Sequence, residues 1–129
     1  MEITYNNKTI RFDSCRARLP VILKQRQVLV PWGRRDNEEG ALPVMPCIAE
    51  ELLRSGAFQG FKQQLVPILA DSFRINYFGN NLVPDVIQPG QFMQGLMIEL
   101  NHEKRVYVVG KTFAAAGNIY IMPKLVWKK

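Results

Sequence analysis

Short apolar runs separated by tight polar turns recur along the whole chain, and this punctuation limits the fold more than any other feature. Ile3-Thr4-Tyr5 and Thr9-Ile10-Arg11-Phe12 flank Asn6-Asn7, and asparagine tolerates the positive φ that a two-residue hairpin turn needs. Leu19 to Leu23 and Gln27 to Val30 make a second pair across the polar corner Lys24-Gln25-Arg26. Phe92 to Leu100 and Arg105 to Thr112 make a third across Asn101-His102-Glu103-Lys104, and Ile119 to Trp127 continues the β pattern. Leu65 to Leu69 is a shorter run whose Pro67 suits an edge or a bulge, because proline has no N–H for the ladder.

Helical signals are few. Pro46 suits a first helical turn, Ile48, Leu52 and Leu53 follow helical spacing, Glu50 and Glu51 favour the N-terminal half, and Gly56 is a stop. Ala114-Ala115-Ala116-Gly117 reads as one further helical turn. The expectation is a single α+β domain over residues 1–129: a β-rich curled sheet or partial barrel with one or two short helices.

Composition excludes several classes. Hydrophobic residues at 47% and charged residues at 22% are globular proportions. No apolar run approaches the ~20 residues that span a bilayer, and MEITYNNKTIRF is too polar for a secretory signal. A cytoplasmic location without a membrane partner is expected, and two cysteines, Cys15 and Cys47, suit it. One histidine and no Cys-x-x-Cys pair leave no zinc spacing, so neither metal nor cofactor is expected.

Charge is partitioned. Residues 1–35 hold eight bases against two acids, residues 36–103 three against nine, and residues 104–129 six against none. If the two ends meet in the fold they form a positive face, which attracts polyanions by releasing condensed counterions; the other reading is a basic surface kept for solubility.

Candidate chemistry is sparse. His102 and Glu103 share a polar turn, which supplies no pocket for a general base. Cys15 is flanked by Arg16 and Arg18, whose charges favour a thiolate, but the single histidine is distant in sequence. Cys47 reads as core packing. The adjacent acids Glu38-Glu39 and Glu50-Glu51 point in different directions and make poor dyads. Trp32-Gly33-Arg34-Arg35 is the most suggestive segment. A tryptophan can stack on an unpaired base and two arginines can grip phosphates, or the same residues are a core tryptophan and a charged loop.

From Leu19 to Trp127 the order of short motifs resembles the SOS-response-associated peptidase (SRAP) family. Leu29-Val30-Pro31-Trp32-Gly33 looks like its strand and Trp-Gly turn, and Pro46-Cys47-Ile48-Ala49-Glu50 sits where its Asn-Ala-Arg-Ala-Glu segment falls. Ala70-Asp71-Ser72-Phe73 is similar to its Pro-Ala-Asp-Gly-Phe motif. Gln94-Gly95-Leu96, Val106 to Thr112 and Met122-Pro123 follow in the family's order. The resemblance implies an SRAP-like fold and a role on abasic sites in single-stranded DNA, which that family protects by a thiazolidine crosslink.

The departures fall on the chemistry. The family's nucleophilic cysteine follows the initiator methionine, where this chain has Glu2, a side chain too large for the methionine to be trimmed. Its asparagine falls near Pro46, its glutamate at Ile75 and its histidine at Ile119. An isoleucine cannot transfer a proton, so the expectation is no catalysis. The expected function is a non-catalytic SRAP-like domain binding single-stranded or damaged DNA, with Trp32 stacking and Arg34, Arg35, Arg16, Arg18 and the terminal lysines on phosphates. The alternative is a protein-interaction module of phage or mobile-element origin that binds no nucleic acid.

Overall fold

Three hairpins with the same turn set the frame. The computed structural model describes residues 1–77, 80–81, 85–115 and 117–128. Strands β1 (Glu2–Tyr5) and β2 (Lys8–Arg11) close on the pair Tyr5↔Lys8, with Asn6 and Asn7 at φ 52° and 63°. Strands β3 (Arg18–Leu23) and β4 (Arg26–Pro31) close on Leu23↔Arg26, and here Lys24 and Gln25 take the positive φ. A loop then leads to β5 (Cys47–Ala49), the helix α1 (Glu50–Arg54) and β6 (Lys62–Ile68). Four short strands follow: β7 (Ser72–Arg74), β8 (Asn76–Tyr77), β9 (Asn80–Asn81) and β10 (Asp85–Val86). The third hairpin joins β11 (Gln91–Leu100) to β12 (Glu103–Ala115) through Asn101 and His102, again at positive φ. Strands β13 (Asn118–Pro123) and β14 (Leu125–Trp127) end the chain.

The strands form an open sheet in the order β13-β12-β11-β6-β3-β4, a second in the order β10-β7-β1-β2, and the small β8-β9 pair. Strand β14 adds to β11, and β5 adds to β12 in parallel. At the end of β4, Trp32 makes a parallel bridge to Val106 of β12, so the large sheet curls toward itself. At Pro67 little ladder is sacrificed, because β6 meets β3 at the single pair Val21↔Ile68.

Among the described residues strand predominates, and α-helix is confined to Glu50–Arg54. The helix expected from Pro46 to Gly56 shrinks to five residues with none buried. Cys47–Ala49 instead pair with Val108–Gly110, since so short a helix is marginal while an open strand edge offers immediate hydrogen bonds. Ala114 and Ala115 are extended, paired with Ile119 and Asn118, rather than a helical turn; Ala116 lies outside the described residues. Residues 119–127 are two strands, not one, because β14 leaves β12's neighbour to join β11.

Strands β11 and β12 divide the core in two. Met93, Met97, Val106 and Val108 face one cluster with Ile3, Leu19, Val21, Ile68 and Phe73. Leu96, Ile98, Tyr107 and Val109 face the other with Leu42, Ile48 and Phe58. Burial on both faces explains why Val106-Tyr107-Val108-Val109 reads as a continuous apolar run. Gly95 belongs to the first face, where a Cβ would collide with Ile68 and Val106.

Candidate nucleic-acid interface

Trp32 is an anchor of the core and not a surface for a base. It has no exposed area, its indole N–H donates to the Pro46 carbonyl at 3.1 Å, and its ring meets Phe12 edge-on at 5.4 Å. Its backbone N–H donates to Ala17 at 2.8 Å. The stacking role expected for Trp32 is therefore corrected to packing. Gly33 follows with φ +52°, and a Cβ there would strike the Met45 carbonyl and the Phe12 ring.

Arg34 and Arg35 are equally committed. Arg34 donates from Nε to Leu42 O at 2.6 Å and from Nη1 to Glu38 O at 2.7 Å. Arg35 is buried; it donates to Glu38 Oε1 at 2.6 Å, Phe12 O at 2.6 Å and Trp32 O at 2.7 Å, and lies 4.6 Å from the Phe12 centroid. Arg105 donates to Gly33 O at 2.8 Å, while Glu103 accepts from the N–H groups of Ala41 and Leu42. These side chains pin the loop after Trp32 by donating to protein oxygens, although the buried Arg105 Nε is left without a hydrogen-bond partner. The phosphate-gripping role expected of Arg34 and Arg35 is corrected accordingly.

Burial alone would raise the Glu38 carboxyl; the Arg35 N–H and guanidinium and the charge of Arg105 outweigh it and hold the group below its ordinary value. Glu103 is similarly occupied, so it forms no acid–base pair with His102 at the hairpin tip. Cys15 is exposed. Cys47 is buried, 3.4 Å from the Met1 sulfur, and burial pushes its thiol up to about 12.

Two of the surface hollows bear on the candidate residues. The first is a hollow of about 360 Å³ with Met1, Pro46, Cys47, Ile75 and Ile119 in its wall. Pro46, Ile75 and Ile119 are the three positions where the SRAP resemblance puts an asparagine, a glutamate and a histidine, and Met1 adjoins Glu2. The topology brings them together: β5 lies along β12, β13 follows on β12's other side, and Ile75 ends the β7 segment. The wall carries no carboxylate or imidazole among the described residues, and its thiol is protonated. The Tyr120 side chain also stands in this wall.

The second is a cleft of about 710 Å³ between the first two hairpins. Tyr5, Lys8 and Ile10 share one face of the β1–β2 hairpin by strand alternation and project over it. Opposite them stand Arg18 and Pro20 of β3 with Gln27 and Leu29 of β4, where Pro20↔Leu29 and Ile22↔Gln27 fix the register. Asn6 and Asn7 close one end. No acid lines it. Arg18 is thus the expected site residue placed in this cleft; Arg35 borders a separate hollow beside Asp13 and Asp36, and Arg16 is exposed in the turn just before Arg18.

The two basic ends of the chain do meet, at the Trp32–Val106 bridge, but Arg105 pairs with Glu38 and Glu103, and Lys124 with Glu50. In contrast Lys8, Arg16, Arg18, Lys24 and Arg26 make no ion pair among the described residues and all are exposed. Tyr5, Lys8, Gln27 and Leu29 escaped the sequence reading. The signal that finds them is alternation: Leu29, apolar yet outward on its strand, marks a face that something partly covers. Comparison with family models, curated proteins and solved structures finds no match to the chain.

Proposed function

We propose that this chain is a non-catalytic, SRAP-like domain that binds single-stranded DNA along its two N-terminal hairpins. The observation that carries the reading is the concentration there of Lys8, Arg16, Arg18, Lys24 and Arg26, exposed and without acidic ion-pair partners among the described residues, around the cleft between the two hairpins. The SRAP scaffold draws support from the convergence of Met1, Pro46, Ile75 and Ile119 on one hollow, since unrelated substitutions have no reason to meet in space. In that hollow a protonated, buried thiol replaces the reactive group, so an abasic strand is bound as any other strand is. Among the described residues no helix is long and apolar enough to cross a membrane.

The test is fluorescence anisotropy with labelled single-stranded, duplex and abasic oligonucleotides across a salt series. Single strands are expected to bind best, with log K falling by about 0.7 per neutralised phosphate for each unit of log salt. The Lys8→Ala/Arg16→Ala/Arg18→Ala variant is expected to flatten that slope, while Arg54→Ala/Lys62→Ala leaves it unchanged. Salt-independent binding, or no binding at low salt, overturns the proposal. Binding of a protein partner is the second reading, and Ile119, 76% exposed at the hollow's rim, favours it. An Ile119→Asp variant that loses a captured partner while the hairpin variant keeps it would establish that reading.

A further inference from the structure

We infer that the cleft between the first two hairpins is a nucleotide site, taking one base and its phosphate from an unpaired strand. The inference rests on the strand-binding reading and adds to it a defined seat with a stated chemistry.

The cleft's volume, about 710 Å³, falls within the ~300–1,000 Å³ of ordinary small-molecule sites. Its walls divide by chemistry in the way a nucleotide does. Ile10, Pro20 and Leu29 give an apolar floor, and Leu29 keeps 60% of its surface exposed although it sits on a β-strand beside the core. Tyr5, half-buried, supplies an aromatic wall fixed by the Asn6-Asn7 turn. A base has a π-face that such a wall can stack against at a cost of little side-chain entropy.

Polar groups stand around this apolar centre. Lys8 lies directly opposite Tyr5 in the hairpin register, and Arg18 projects from β3 on the facing wall. A phosphate entering beside a stacked base meets a cation from each hairpin. The side-chain amides of Asn6, Asn7 and Gln27 each carry both donors and acceptors, which suits base edges. Among the described residues none of these polar side chains is engaged by another protein group. Arg34 and Arg35, by contrast, already donate to the carbonyls of Leu42, Glu38, Phe12 and Trp32. Unspent side-chain donors gathered in a concavity distinguish this place from the rest of the described surface; the nearby Asp71 carboxylate is taken up by the Asn6 backbone N–H at 2.9 Å. An acidic peptide would satisfy Lys8 and Arg18 but brings no obligatory π-face to Tyr5, which every nucleotide does.

Isothermal titration of the whole chain with dAMP, deoxyadenosine and inorganic phosphate tests the seat. Binding of dAMP is expected to exceed that of either fragment. Tyr5→Leu should weaken dAMP about tenfold while Tyr5→Phe retains it, the loss expected for one stacked base. Lys8→Ala/Arg18→Ala should weaken dAMP and phosphate but leave deoxyadenosine unchanged. Phosphate binding as tightly as dAMP would overturn the inference, reducing the cleft to an anion site, as would a Tyr5→Leu variant that binds dAMP normally. Oligonucleotide anisotropy on the same variants separates the two claims. Salt-dependent strand binding without any dAMP binding sinks the seat and leaves the strand reading; dAMP binding without strand binding at low salt sinks the strand reading and leaves the seat.

Discussion

Glu38 gathers more of the loop's order than any other side chain. Its carboxylate accepts from the Arg35 backbone and guanidinium and lies 3.6 Å from Arg105, while its carbonyl accepts from Arg34. Because the folded carboxyl is held below its ordinary 4.5, its contribution to stability is complete above that value. It is lost as pH falls through the lowered folded value, when the proton that binds must displace Arg35. Thermal melts between pH 7 and pH 3 are expected to show an acid-side loss of Tm that Glu38→Gln removes, the variant being less stable than the native chain at neutral pH. An identical acid limb in the two proteins would show that other carboxylates govern it. Variants at Arg35 speak to folding in the same way, because they leave the Glu38 carboxylate and the Phe12 and Trp32 carbonyls without their donor. They are unsuited to testing DNA contact.

At the scale of elements, the turns differ in how well their residues fit. Asn6-Asn7 and Asn101-His102 use residues that tolerate positive φ, whereas Lys24 and Gln25 hold φ 50° and 64° without that ease. Gln25→Gly is expected to stabilise the second hairpin by about 1 kcal/mol, read as a raised denaturation midpoint at unchanged m-value. A lowered midpoint would mean that the Gln25 side chain makes a contact outweighing its backbone strain. The same turns explain what was legible in the sequence. A two-residue polar break between alternating runs declares a hairpin locally, and all three hairpins were readable from their residues alone. The short strands β5, β7 and β10 were not, because each is extended only by virtue of a distant partner: Val108 for Cys47, Ile3 for Phe73, Phe73 for Asp85. The candidate site was half legible for the same reason. Arg16 and Arg18 announced their charge, but whether an arginine is spent depends on carbonyls far along the chain, and Arg35 finds one at Phe12.

For the molecule as a whole, the two cysteines report on opposite conditions. Cys15 is exposed and Cys47 is buried with its thiol pushed up to about 12. Under native conditions a mild alkylator is expected to label Cys15 on mixing and Cys47 only as fast as the core opens, with both labelled at once in denaturant. Equal native rates would show that the hollow admits reagent to the sulfur. The Trp32–Val106 bridge carries a further consequence, in time rather than in space. The first two hairpins close over a few residues and can form as soon as they are made, whereas the seat of Trp32, begun by Phe12, Ala17 and Pro46, is completed only when Val106 has followed it by more than half the chain's length. During synthesis the indole's burial is therefore finished late, and the interval between those two residues is when the nascent chain is most exposed to misassociation.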